Sequence, residues 1–149
     1  MARILRTKDI LTAASKHLHY ELWMLQSSAS TQPQGSPSHV VNNALLETIA
    51  LHSRVILDFL YDDNPRTDDV NAIDYISNWR EIRPDKPKDL DEIDRRVGKE
   101  VAHLTYARLD VDPALKGWDV QKLASTVSEL MGFFIARCRK DLLSSEWKV

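Results

Sequence analysis

Residues 38–61, SHVVNNALLETIALHSRVILDFLY, would be apolar around more than half of the circumference of a helix. At ~100° per residue, two adjoining apolar faces result. One face carries Val41, Leu45, Thr48, His52, Val55 and Phe59, and the other carries Leu46, Ile49, Ile56, Leu57 and Leu60. A helix that packs against one neighbour needs an apolar stripe only ~100° wide. The pattern therefore predicts that this segment is the central helix of a bundle, with neighbours on at least two sides.

Polar residues on this central helix leave two interpretations open. His52 lies within the apolar face, either as a core histidine bonded to a neighbouring helix or as part of a site. Asn43, Glu47, Arg54 and Asp58 share a narrow polar wedge. If the wedge is solvated, the Arg54–Asp58 pair contributes only a few tenths of a kcal/mol. If it faces another helix or subunit, its charges must be paired, since a broken buried pair costs several kcal/mol.

Length and composition favour one all-α domain spanning residues 1–149. A chain of 149 residues buries roughly two-thirds of its unfolded surface, enough for a core without disulfides. Its hydrophobic content of 43% is ordinary for soluble proteins. Four glycines and few alternating β-branched runs indicate helices.

Charge and cysteine usage exclude several classes of protein. The net charge of −2 argues against a generally basic, nucleic-acid-binding surface, although a local basic groove remains possible. Cys138, the single cysteine, allows no intrachain disulfide and fits a reducing compartment. No apolar run reaches 18 residues, and the first residues lack the apolar core of a signal peptide. We therefore expect a cytoplasmic protein without a membrane segment.

Apolar periodicity, prolines and polar runs divide the chain into elements. The predicted elements are a first helix at residues 8–25, a flexible linker at 26–38, the central helix, a short helix at 69–79, a third long helix at 87–109, a last long helix from Asp119 to 143 and a tail at 144–149. Together they predict an antiparallel bundle of four long helices, with a short extra helix in the crossover between the second and third.

The predicted third helix carries the side chains that are the strongest candidates for catalysis. Arg96, Glu100 and His103 follow one another along one side of it, with His52 or Arg54 expected opposite. Arginine grips phosphate with two hydrogen bonds, and histidine near its normal pKa can act as general acid or base on a ribose hydroxyl. Glu100 would hold the imidazole in one tautomer or balance Arg96. The alternative is a structural row, in which Arg96 pairs with Glu100 and His103 packs on the core edge.

The segment from Arg96 to His103, RVGKEVAH, has the form Arg-x6-His. It resembles the Arg-x4-6-His motif of the HEPN superfamily of small, often dimeric helical bundles, many of them metal-independent ribonucleases of toxin–antitoxin and defence systems. The resemblance implies that Arg96 and His103 carry catalysis in a groove between two subunits, with RNA as substrate. Some HEPN-like proteins are non-catalytic binding partners, so the resemblance is also compatible with a non-catalytic role.

Two functions from different classes follow. The first is a HEPN-like, metal-independent RNA endonuclease, which needs no cofactor. The second is a non-catalytic helical bundle that binds a protein partner, as an antitoxin or regulator does. In both cases we expect a homodimer, because the central helix has more apolar surface than a bundle of 149 residues easily covers. A weaker third hypothesis is a small-molecule sensor with a pocket near His52 and Trp79.

Overall fold

Helices form the regular structure of the chain in the computed structural model, which describes residues 4–31, 38–97, 106 and 119–147. The α-helices of these residues are α1 (Lys8–Thr31), α2 (His39–Tyr61), α3 (Trp79–Ile82), α4 (Lys88–Arg96) and α5 (Val120–Arg137). Short 3-10 turns occupy Ala72–Asp74, Lys140–Leu142 and Ser145–Trp147. Within the described residues there are no β-strands, so the all-α class is confirmed. Three of these helices are long, and a bundle of four long helices remains a prediction.

Helix α1 is longer than the apolar pattern indicates. Leu11, Leu18 and Leu25 repeat every seven residues and are buried, as expected. The helix then continues to Thr31, so the prediction that the linker begins at residue 26 was wrong. The physical reason is packing: Ala29 is buried although its neighbours are polar. Serine and threonine are tolerated in this last part of the helix because their hydroxyls donate to carbonyls one turn earlier. The Thr31 hydroxyl, for example, donates to the Ser27 carbonyl at 2.8 Å.

Helix α2 packs against both α1 and α5, so the predicted neighbours on two sides are present. Ile49, Ile56, Leu57 and Leu60 along it are almost completely buried. Phe59 meets Phe134 of α5 edge-on, with ring centroids 5.0 Å apart. Burial of four such side chains contributes on the order of 1.5–3 kcal/mol each to the stability of the fold.

The crossover after α2 is anchored at two points. Asn71 is buried and caps the first 3-10 turn, accepting from the Ile73 amide and donating to the Asp62 carbonyl. Trp79 is buried to 1% exposure and donates from its indole nitrogen to the Leu60 carbonyl at 2.7 Å. The predicted helix at 69–79 was wrong in position, because these anchors divide the segment into the 3-10 turn and α3.

An exposed ion pair joins the N-terminal ends of α4 and α5, where Lys122 Nζ and Asp89 Oδ2 are 2.6 Å apart. Leu90 of α4 belongs to the common core. The remainder of the predicted third helix falls largely on residues 98–105 and 107–109, which lie outside the described residues.

Helix α5 ends at Arg137 and not at residue 143, because Cys138 turns the backbone to an extended conformation. This turn brings Leu142 and Leu143 down onto the core. The tail then docks, with the indole nitrogen of Trp147 donating to the Ser15 carbonyl at 2.8 Å. None of the helices in the described ranges is long and apolar enough to cross a membrane.

Candidate functional site

His52 pairs with a carboxylate of the neighbouring helix. Its Nδ1 lies 2.5 Å from Oε2 of Glu21 on α1. An ionised carboxylate can only accept, so Nδ1 is the donor of this contact when Glu21 is ionised. The His52 side chain is 11% exposed and the Glu21 side chain 22% exposed. The ring of Tyr20 covers the imidazole edge-on, with centroids 5.9 Å apart. These contacts fit a histidine bonded to a neighbouring helix, the first of the two interpretations of His52, and its role in a site stays a prediction.

Arg54 lies on the outer side of α2, where it pairs with Asp58 at 3.7 Å. The two side chains are 41% and 57% exposed, so the polar wedge is solvated in the isolated chain. A pair this exposed contributes little to folding stability. The structure therefore does not bring His52 and Arg54 together: one points to α1 and the other to solvent.

The structure describes only part of the predicted catalytic residues Arg96, Glu100 and His103. Arg96 is the last residue of α4, and its side chain lies outside the described residues. Glu100 and His103 lie outside them entirely. The roles of all three therefore stay predictions.

A cleft of about 410 Å³ lies between α1, α2 and the loop that follows α2. Its apolar wall includes Leu18, Val55 and Phe59. Its carboxylates come from Glu21, Asp58, Asp62, Asp68 and Asp69. Such a negative surface repels phosphates, and this argues against RNA in this cleft. The aspartates stand out in the sequence as an acidic run, but Glu21 joins them only through the packing of α1 on α2, which a single sequence does not reveal.

The solvent side of α2 carries a second surface, which we name the α2 outer face. Its residues, which share one side of the helix, are Val40, Ala44, Glu47, Leu51, Arg54, Val55 and Asp58. Val40 is 77% exposed, Leu51 54% and Val55 39%. Tyr20 and Trp23 on α1 are exposed as well. Scattered exposed apolar residues are ordinary, but several along one side of a helix form the kind of patch that contacts other molecules.

Cys138 is a core residue. It is buried, and burial raises the pKa of its thiol to about 11. A thiol with this pKa is protonated at neutral pH and is a poor nucleophile.

Within the described part of the chain, no group of three or more His, Cys, Asp or Glu side chains is arranged to hold a metal ion. Comparisons with protein-family models, with curated proteins and with solved structures found no match for this chain.

Proposed function

We propose that this protein acts by binding another protein chain, as a non-catalytic interaction or regulatory bundle. The observation that carries the proposal is the α2 outer face. Leu51 and Val55 remain exposed halfway along the most apolar helix, although their neighbours Ile56 and Leu57 are fully buried. Exposed leucine and valine on a central helix cost solubility unless a partner covers them, and contact surfaces of this kind mark interaction sites.

A photo-cross-linking amino acid at Leu51 tests this function. In the cells of origin, irradiation is expected to join position 51 covalently to a second polypeptide and to yield a discrete band of higher mass. The matched control places the same amino acid at Glu129, which is exposed on α5 and lies apart from the α2 outer face. If neither position yields an adduct, or both yield the same ladder, the proposed function is wrong.

A second candidate function is metal-independent RNA cleavage at a groove between two subunits. It is favoured by the Arg-x6-His motif, whose Arg96 stands at the C-terminal end of α4. The acidic cleft lies on the α1–α2 side of the molecule, so RNA would have to bind elsewhere. Arg96 and His103 would bind phosphate and transfer the proton, with Glu100 as an orienting group.

His103→Ala separates this candidate from the first. For a ribonuclease we expect at least a ~100-fold loss of cleavage of a mixed RNA pool, the usual range for a general acid or base. The melting temperature should stay unchanged, and EDTA should leave wild-type cleavage intact. An inert wild-type protein, or cleavage that EDTA stops, would rule this candidate out.

A further inference from the structure

The charges on the α2 outer face are arranged symmetrically about Leu51. Glu47 lies one turn before it and Arg54 about one turn after it. The acid, the leucine and the base therefore follow one another along one side of the helix. Glu47 is exposed, and Arg54, although it also pairs with Asp58, keeps 41% of its side chain exposed.

This pattern is self-complementary under a two-fold axis. When two α2 helices lie antiparallel with the axis beside Leu51, Glu47 of each copy stands opposite Arg54 of the other. Leu51 then packs against its own counterpart, and Asp58 stands opposite the neutral amide of Asn43. A parallel arrangement in register would instead oppose like charges. Two-fold contacts are the commonest in homo-oligomers and require this property of a surface.

We propose that the partner of the α2 outer face is a second copy of this chain, with the two α2 helices antiparallel and crossing at Leu51. This inference rests on the proposed function, because it names the partner of the same face. It fits the expectation of a homodimer, and it assigns the residues that make one.

The exposed apolar residues of the α2 outer face form the centre of the contact. Leu51 is 54% exposed and Val55 is 39% exposed in the isolated chain. The apolar centre supplies the affinity, and the exposed ion pairs set the register.

Exchanging the charges of Glu47 and Arg54 tests the antiparallel register of the two α2 helices. Sedimentation of the purified full chain over a concentration series gives the dimer dissociation constant. Glu47→Arg and Arg54→Glu are each expected to raise it at least ~10-fold, because each turns two attractive contacts into two repulsive ones. The protein that carries both substitutions is expected to recover to within ~3-fold of the wild type. Glu129→Arg on α5, with the same change of charge, should leave it unaltered.

Leu51→Glu tests the apolar centre and should give a monomer with an unchanged circular dichroism spectrum. The inference is overturned if the wild type is still a monomer at 100 times the concentration at which the variants are compared. A dimer that withstands Leu51→Glu overturns it too, as does a double variant as weak as the single ones. If the wild type is a monomer and Leu51→Glu lowers its melting temperature, another part of the same chain covers the α2 outer face, and the inference is again overturned. A position-51 cross-link to a different protein would overturn this inference but keep the proposed function.

Discussion

Trp79→Ala is expected to lower the free energy of unfolding by about 3–5 kcal/mol, the usual range for removing a large aromatic side chain from a core. Trp79 is 1% exposed, and its ring meets that of Phe134 edge-on at 5.4 Å. Its indole nitrogen donates to the Leu60 carbonyl. That carbonyl lies in the last turn of α2, where no later helical amide can reach it, and its second donor is Arg83 Nη1 at 3.3 Å. The substitution thus leaves a cavity and weakens the C-terminal end of the central helix.

Urea unfolding followed by circular dichroism measures this loss. Trp79→Phe keeps most of the ring and removes the N–H donor, so its expected cost is about 1–3 kcal/mol. The matched control is Trp23→Ala, since Trp23 is 53% exposed and its removal should change the unfolding free energy by less than about 1 kcal/mol. Equal losses from Trp79→Ala and Trp23→Ala would contradict the anchoring role of Trp79.

The elements that the sequence predicts well are those whose own periodicity specifies them. The apolar faces of residues 38–61 identify α2 and its packing on two sides, because the width of an apolar surface is a property of one segment. Leu11, Leu18 and Leu25 identify α1 in the same way.

The elements that the sequence predicts poorly depend on partners far along the chain. The polar residues that follow Leu25 resemble a linker, yet Gln26 bonds to Ser128 of α5 across the bundle at 3.0 Å. Similarly, the end of α5 at Arg137 follows from the packing of Leu142 onto α1 and the core, which propensity does not encode. Tertiary contacts override local preference in both places.

The candidate site shows the same division. The pairing of Arg54 with Asp58 was predictable, because the two residues are four apart on one helix. The partner of His52 was not, because Glu21 lies 31 positions away on another helix. A single sequence marks His52 as unusual within an apolar face, but only the packing of α1 on α2 shows which group satisfies it.

The Glu21–His52 contact gives the second large expected effect. His52→Leu removes the imidazole and leaves the mostly buried Glu21 carboxylate without this donor, so we expect a loss of about 2–4 kcal/mol in the free energy of unfolding. Glu21→Met should cost about 1–2 kcal/mol, because the imidazole loses its acceptor. With both substitutions, two apolar groups of similar size replace the pair. The loss should then be smaller than the sum by at least about 1 kcal/mol.

Urea unfolding of the four proteins, wild type included, completes this double-mutant cycle. Additive losses would show that the contact between Nδ1 and Oε2 contributes no coupling to stability. The double variant also tests the chemistry, because it restores packing without restoring an ionisable group. If His52 supports RNA cleavage, the double variant loses that activity although it is folded. If His52 is a core residue, cleavage, where the wild type has any, is unchanged, and the catalytic case then depends on Arg96 and His103 alone.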